Sequence, residues 1–242
     1  MPRTDLERRT AARVTQVDWA RVTRELDSEG WSRLAVLLTR AECGALIRLF
    51  ADLAAFRSTV DMARHRFGRG EYRYFAHPLP PLVVALRAEL YARFAAIANR
   101  WSAALGGATG YPPTLAPYLE QCHADGQTRP TPLLLHYRSG DYNCLHQDLY
   151  GDLSFPLQVV VPLSEPGADY AGGELIFSEQ RPRSQSRATA VAAAAGEAVA
   201  FTNRERPVPG VRGFSRVQMR HGLSTVTHGE RFALGIIFHD AR

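Results

Sequence analysis

The chain has 242 residues, and 45% of them are hydrophobic, which is enough for one large domain with a sizeable apolar core. The formal net charge is +5, but all 29 basic residues are arginine, so the positive balance belongs to the whole chain and does not by itself indicate a polyanionic partner. No apolar run reaches the length of about eighteen residues that a membrane-spanning helix needs, which argues against a helical membrane protein.

The cysteines are few and odd in number. Cys43, Cys122 and Cys144 include no CxxC pair, which argues against both a disulfide framework and a structural zinc site. Residues 1–13 are charged and are not followed by the apolar stretch that a secretory signal requires. We therefore expect a cytoplasmic protein.

Helical patterns dominate the chain up to about residue 110. Residues 17–26 are amphipathic, and residues 82–105 carry a long helical repeat of apolar side chains. Thr39, followed three residues later by Glu42, forms a capping box, which predicts that a helix begins there. We expect residues 1–110 to form a helical support region with loops that cover the substrate.

Residues 57–73 interrupt the helical patterns and combine arginine with glycine and aromatic residues. This composition suits phosphate contact and base stacking, but it suits an acidic peptide or a small acid equally well. The simplest interpretation is a glycine-containing loop that covers the mouth of the following region. The charged and aromatic side chains concerned are Arg57, Arg64, Arg66, Phe67, Arg69, Tyr72, Arg73 and Tyr74.

From about residue 131 the pattern changes to short β-strands separated by glycine, proline, aspartate and asparagine. Strands at this spacing, with Gly172-Gly173 as a turn between two of them, predict a double-stranded β-helix, also called a jelly roll. Residues 207–213, which include two prolines, are predicted to form a loop. The predicted strands are residues 133–137, 143–147, 157–163, 174–178, 188–192, 198–202, 218–221 and 232–239. The fold class is therefore α+β, with residues 111–242 as a jelly-roll core that forms one structural unit with the helical region.

The most specific local feature is His146-Gln147-Asp148. Residues i and i+2 of a strand point to the same face, so an imidazole nitrogen and a carboxylate oxygen lie side by side. Two such ligands do not hold a metal ion firmly, so a third must come from a distant strand. Two histidines and one carboxylate leave coordination positions open, which is the arrangement that Fe(II) oxygenases use.

The third ligand must come from the remaining histidines. His221 follows an alternating strand, and Arg231 comes ten residues later, at the start of the next strand. An arginine fork there would neutralise the far end of a carboxylate bound to the metal. His228 lies in a turn and His239 lies near the C-terminus, so His221 is the favoured ligand.

The order of these four residues resembles the Fe(II)- and 2-oxoglutarate-dependent dioxygenase superfamily. Its pattern is HxD, a long gap, a histidine, and an arginine or lysine about ten residues further on. The resemblance implies that His146, Asp148 and His221 hold Fe(II), and that Arg231 pairs with the 5-carboxylate of 2-oxoglutarate.

Further stretches resemble particular branches of the superfamily. The spacing from Tyr137 to His146 is similar to that of the alkylation-repair nucleic-acid demethylases, which implies that the Tyr137 hydroxyl contacts 2-oxoglutarate. The chain departs from those enzymes at Leu135, where they have asparagine, and at Ile237, where they have a second arginine, so repair activity does not transfer. The turn at residues 172–175 is similar to that of prolyl hydroxylases.

Nearly the whole chain resembles an uncharacterised bacterial family of 2-oxoglutarate- and Fe(II)-dependent oxygenases, loosely grouped with nucleic-acid-modifying enzymes. The stretches that carry the resemblance are residues 62–72, 126–132, 143–151 and 234–240.

The resemblance implies a reaction but not a substrate. It implies an enzyme that uses Fe(II), 2-oxoglutarate and O2 to hydroxylate or oxidatively demethylate an unidentified substrate, with succinate and CO2 as co-products. That substrate is a small molecule, an amino-acid side chain or a nucleic acid, with a slight preference for the general hydroxylase. Two alternatives stay open, a nucleic-acid-modifying dioxygenase of the alkylation-repair type and a non-catalytic, cupin-like metal-binding protein. Tyr137 and Arg231 argue against the cupin-like protein, because simple metal binding requires neither.

Overall fold

The computed structural model describes residues 3–107, 110–148, 151–211 and 213–242. The helices are α1 (Asp5–Thr15), α2 (Trp19–Glu29), α3 (Arg40–Leu49), α4 (Pro81–Ala104) and α5 (Leu115–Ala124). The strands are β1 (Trp31–Val36), β2 (Phe56–Asp61), β3 (Gly68–Arg69), β4 (Glu71–Phe75), β5 (Leu133–Arg138), β6 (Tyr142–His146), β7 (Leu157–Pro162), β8 (Tyr170–Gly172), β9 (Leu175–Gln180), β10 (Arg187–Val191), β11 (Glu197–Thr202), β12 (Glu205–Gly210), β13 (Gly213–Leu223) and β14 (Val226–Ile236). None of the described helices has the length and apolar character that crossing a membrane would require.

The strands build two antiparallel sheets that face each other. The larger sheet has the order β1-β11-β7-β14-β5-β4-β2, with β8 beside β14, and the smaller has the order β10-β9-β13-β6-β3, with β12 beside β13. Side chains of both sheets meet in one buried cluster, in which the rings of Phe177 and Phe201 lie 5.2 Å apart. This arrangement is the predicted jelly roll.

Strand β7 separates the two apolar layers of the molecule, and all of its residues are buried. Leu157, Val159 and Val161 belong to the cluster that packs with helix α4, whereas Val160 belongs to the cluster between the sheets. Because side chains alternate along a strand, Gln158 points between the sheets together with Val160. A polar side chain is thereby placed inside the jelly roll.

The first 110 residues contribute strands as well as helices. Strand β1 pairs with β11, β4 pairs with β5, and β3 pairs with β6, so this region extends both sheets. Residues 57–73 are therefore not the loop that their composition indicates, since most of them lie in β2, β3 and β4. Aromatic side chains fit a pleated surface well, and the edges of β5 and β6 supply hydrogen-bond partners that are distant in sequence. The division at residue 110 stays a prediction.

The eight predicted strands are present, with ends that shift by a few residues and with a much longer β13 and β14. Strand β12 was instead predicted as part of a loop at residues 207–213, of which residue 212 lies outside the described residues. Pro207 and Pro209 indicated a loop there. Proline is tolerated in β12 because this strand pairs only with β13 and keeps one edge free of the ladder.

A buried arginine ties helix α4 to the end of β14. Arg87 is 2% exposed, and its Nε donates to the carbonyl oxygen of Ile237 at 2.8 Å. Its Nη2 also donates to Asp240 Oδ1 at 2.8 Å. The buried charges of Arg87 and Asp240 compensate each other, and breaking the pair would leave one of them buried alone. The contact therefore holds the end of β14 against helix α4.

Candidate metal and co-substrate site

The three predicted metal ligands converge between the two sheets. His146 ends β6, Asp148 follows two residues later, and His221 of β13 lies directly opposite His146 in the ladder. One ligand atom from each residue lies within 4.8 Å of the others. The His146 side chain is 35% exposed, whereas those of Asp148 and His221 are 12% and 11% exposed, so the group is reached from the side of His146.

Hydrogen bonds aim one nitrogen of each imidazole at the carboxylate. His146 Nδ1 donates to the carbonyl oxygen of Cys144 at 2.8 Å, so Nε2 is the nitrogen that faces the carboxylate, 3.5 Å from Asp148 Oδ1. His221 Nε2 lies 3.1 Å from Asp148 Oδ2. Two imidazole nitrogens and one carboxylate around a common point are the donor set of non-haem Fe(II) oxygenases.

Asp148 and His221 already favour the charge states that a metal ligand needs, whereas the raised pKa of His146 favours its protonated form. Burial acts to raise the pKa of Asp148, but the charge of His221 and hydrogen bonds from both histidines hold that pKa well below its usual value. Burial lowers the pKa of His221, and Asp148 opposes this only in part. Burial also acts to lower the pKa of His146, but its hydrogen bond to Asp148 and the charge of that carboxylate raise the pKa overall. An ionised carboxylate and a neutral imidazole are the forms that coordinate a metal.

A glutamine that the sequence analysis did not identify contacts two of the three ligands. Gln158 of β7 is 4% exposed, and its Nε2 donates to Asp148 Oδ2 at 2.8 Å. The same nitrogen lies 3.1 Å from His221 Nε2. Strand alternation would have placed Gln158 inside the jelly roll, but only the pairing of distant strands brings it to Asp148. An amide that holds a ligating carboxylate fixes its orientation for the metal.

Replacing Gln158 with leucine should weaken Fe(II) binding by about 10- to 100-fold, because the Asp148 carboxylate loses the donor that orients it. The measurement is anaerobic Fe(II) titration of the metal-free protein. The matched control is Gln121→Leu on helix α5, an exposed residue, which should leave the affinity unchanged. Equal affinities of wild type and Gln158→Leu would show that the glutamine does not orient the ligand.

The two predicted co-substrate residues lie side by side on neighbouring strands. Arg231 of β14 pairs with Tyr137 of β5 in the ladder, and its guanidinium lies 6.0 Å from the Tyr137 ring and 5.7 Å from the Tyr170 ring. Both Arg231 and Tyr137 are 2% exposed. Within the described ranges no carboxylate pairs with Arg231, and its buried Nε has no hydrogen-bond partner. A buried cation without a partner is costly, so this guanidinium is suited to receive an anion.

A glycine and an asparagine shape the space around this pair. A Cβ at Gly173 would lie 3.0 Å from Arg231 Cδ, and the φ of this glycine is +64°, so the turn leaves room for the arginine stem. Asn143 Nδ2 donates to the Tyr137 hydroxyl oxygen at 3.3 Å, which leaves the hydroxyl proton available for another acceptor.

One cavity of about 460 Å³ contains all five predicted site residues. It lies between the sheets, with Arg66 and Phe67 also in its wall. Its size falls in the range of small-molecule sites, and most of its remaining wall is apolar. The cavity can therefore hold a metal ion, a small dicarboxylate and part of a larger substrate at once.

The structure separates the competing histidines from this site. His228 lies on β14 and not in the predicted turn, because this part of the chain pairs with β8, but its side chain is exposed. His239 is fully buried, and its Nδ1 accepts a hydrogen bond from the backbone N–H of Phe155 at 3.2 Å. Arg231 lies within β14 rather than at the start of a strand. Strands β13 and β14 belong to opposite sheets, so His221 and Arg231 face each other across the cavity.

Comparison with known families gives one match to most of the chain. Residues 70–241 match the family model Oxygenase-NA, which is described as an oxygenase catalysing oxidative methylation of damaged DNA. An uncharacterised protein of Mycobacterium tuberculosis, present in strain H37Rv, is 52% identical over 167 residues, which are 69% of this chain and 72% of that protein.

Solved structures share the fold at low identity. A Pseudomonas putida prolyl-4-hydroxylase superposes with a TM-score of 0.55 at 18% identity, over 93% of this chain and 99% of that chain. An oxidoreductase of the 2OG-Fe(II) oxygenase family from Burkholderia pseudomallei superposes with a TM-score of 0.51 at 15% identity, over 91% of this chain and 89% of that chain. The predicted α+β jelly roll is confirmed by these likenesses.

Proposed function

The chain belongs to the Oxygenase-NA family, and from this premise we propose that His146, Asp148 and His221 hold Fe(II) while Arg231 and Tyr137 hold 2-oxoglutarate. The chain is an Fe(II)- and 2-oxoglutarate-dependent oxygenase by family and fold. Fe(II), 2-oxoglutarate and O2 are accordingly its cofactors. The observation that carries the residue assignment is an unpaired, buried guanidinium in the same cavity as a metal-ligand triad.

The residues present fit both groups. The triad offers two nitrogens and one carboxylate oxygen and leaves the rest of the coordination sphere to other ligands. Arg231 offers a two-pronged donor that matches a carboxylate, and the Tyr137 hydroxyl lies on the neighbouring strand. Most of the remaining wall of the cavity is apolar, which would limit the access of water to the co-substrate.

Each residue has a separate task in the proposed reaction. When bound, Fe(II) supplies the O2-dependent oxidation, in which 2-oxoglutarate is converted to succinate and CO2. The triad fixes the position of the metal, Gln158 orients Asp148, and Arg231 with Tyr137 fixes the distal end of the co-substrate. The protein thus contributes position and exclusion of water, while the cofactors carry the oxidation.

The substrate that the family description favours is a damaged nucleic acid. The match to Oxygenase-NA covers residues 70–241 and includes every proposed site residue, which supports oxidation of a modified base by this chain. The cationic and aromatic wall residues Arg66 and Phe67 support the same choice. Hydroxylation of a peptide or small molecule is the second candidate, because the prolyl-4-hydroxylase of Pseudomonas putida shares the fold over nearly its whole length.

The proposed cofactor chemistry predicts a visible spectrum. When 2-oxoglutarate is added to the Fe(II)-loaded protein without oxygen, a weak charge-transfer band should appear if the keto acid becomes a ligand of the Fe(II) that His146, Asp148 and His221 would hold. Succinate lacks the keto group and serves as the matched control, for which no band is expected. Iron binding without a band would reject the oxygenase and favour the non-catalytic, cupin-like metal-binding protein.

A further inference from the structure

A short segment at the mouth of the cavity has no role in the proposed metal and co-substrate site. This mouth segment, residues 62–69, runs from the 3-10 turn Met62–His65 into strand β3. It precedes residue 70, where the match to the family model begins. Its side chains are exposed except for Met62, which is fully buried and anchors the turn.

Backbone contacts hold the mouth segment in one shape. The N–H of Phe67 donates to the carbonyl oxygen of Met62 at 3.0 Å, and the N–H of Arg66 donates to that of Ala63 at 3.3 Å. Arg66 has a φ of 59°, a left-handed conformation that is uncommon for a residue other than glycine. Such a conformation persists only where the surroundings impose it, and it is frequent at ligand sites.

The mouth segment is also joined directly to the strand that carries His146. The N–H of Cys144 donates to the carbonyl oxygen of Phe67 at 2.8 Å, and Gly68 pairs with Asn143. A Cβ at Gly68 would lie 2.4 Å from the carbonyl oxygen of Tyr142, so only glycine permits this approach. His146 is two residues beyond Cys144, which is about 7 Å along a strand. The backbone of Phe67 is therefore joined to β6 two residues before the metal ligand His146.

Apart from Ala63, the exposed side chains of the mouth segment are those of Arg, His and Phe residues, and none is acidic. Arg64 pairs with Asp61 at 3.4 Å, whereas neither Arg66 nor Arg69 forms an ion pair within the part of the chain that the structure describes. Phe67 is 49% exposed and stacks on His65, with ring centroids 5.4 Å apart. Two apolar side chains of β6 continue the surface, since Tyr142 is 37% and Leu145 is 44% exposed.

We propose that the mouth segment binds single-stranded nucleic acid, with Arg66 and Arg69 on phosphates and Phe67 stacked on a base next to the one that enters the cavity. This inference rests on the proposed function, because it places the target base at the metal site. Guanidinium forks match phosphate oxygens, and an aromatic face accepts any base. A base reaches a closed cavity only when it is out of a duplex stack, which is why a single strand is the fitting partner.

An acidic peptide is the competing partner. Its carboxylates would pair with Arg66 and Arg69, but it would supply no planar group to stack on the exposed ring of Phe67. The alternation of free cations with an exposed aromatic ring, at the rim of a cavity of about 460 Å³, matches a chain of phosphates and bases better.

The test is fluorescence anisotropy of a labelled single-stranded oligonucleotide at several salt concentrations. The double variant Arg66→Gln/Arg69→Gln should bind more weakly. The slope of the logarithm of its binding constant against the logarithm of salt concentration should be smaller by about 0.7 for each phosphate contact removed. Phe67→Ala should weaken binding by about 5- to 150-fold with an unchanged salt slope. The control Arg48→Gln/Arg183→Gln removes the same two charges from α3 and from the β9–β10 turn, and it should keep the wild-type slope.

Several outcomes would overturn the assignment. Equal losses in the two double variants would mean that only the overall charge matters. Binding of poly-glutamate as tight as that of the oligonucleotide, or tighter binding of a duplex of the same sequence, would reject single-stranded nucleic acid. The charge-transfer band is recorded on the same wild-type preparations. If the band appears but the mouth-segment variants bind the oligonucleotide as the wild type does, only the proposed binding surface is rejected. If these variants weaken binding but no band appears, only the proposed cofactor chemistry is rejected.

Discussion

Replacing Asp148 with alanine should abolish the conversion of 2-oxoglutarate to succinate, and His146→Ala and His221→Ala should do the same. Asp148 is the only carboxylate in the group of three, and both histidines aim Nε2 at it. Without it the metal would have two neutral ligands, which do not hold Fe(II) firmly. The measurements are succinate production and the iron content of the protein after anaerobic loading.

A histidine outside the cavity provides the control for this loss. His228 is exposed on β14, only seven residues from His221 in sequence, and His228→Ala should keep both iron and turnover. Normal succinate production by Asp148→Ala, or a loss in His228→Ala equal to that in His221→Ala, would refute the assignment of the triad. The comparison also separates loss of a ligand from a general effect of removing a histidine.

The sequence predicted the triad because its geometry is largely local. Strand alternation predicts that Asp148 points to the same side as His146, and the two residues do meet, although β6 ends at His146 and Asp148 follows it. His221 was chosen because its alternating neighbours indicated a strand, whereas His228 was expected in a turn. His228 lies on a strand as well, and what excludes it from the site is that its side chain is exposed. The ladder then pairs His221 with His146, a relation between residues 75 positions apart that no local pattern contains.

Features that depend on distant pairing were not predicted. Gln158 lies in a strand whose residues are all buried, and its contact with Asp148 exists only because β7 faces β6 across the cavity. Residues 57–73 read as a loop because glycine and arginine are poor strand formers, yet β5 and β6 offer them free edges. Helix α1 was also missed, since its eleven residues are mostly polar and only Thr10 and Val14 are buried.

Replacing Arg231 with methionine should have two effects of opposite sign. The free protein should become more stable, by about 1–4 kcal/mol in the free energy of unfolding, because an unpaired buried cation is exchanged for an apolar side chain of similar length. Binding of 2-oxoglutarate should weaken by about 2–5 kcal/mol, or roughly 30- to several-thousand-fold, because its distal carboxylate would be buried without a partner. The measurements are thermal unfolding and anaerobic titration of the charge-transfer band.

The combination of the two effects distinguishes a binding residue from a structural one. At 100 times its dissociation constant, 2-oxoglutarate should stabilise the Fe(II)-loaded wild type by about 2.7 kcal/mol, whereas Arg231→Met at the same concentration should gain less than about 0.9 kcal/mol. The control Arg220→Met removes an exposed arginine on β13 beside His221 and should change neither quantity. A less stable Arg231→Met that still binds 2-oxoglutarate with wild-type affinity would mean that this guanidinium supports the fold, and the distal carboxylate would then need another partner in the cavity.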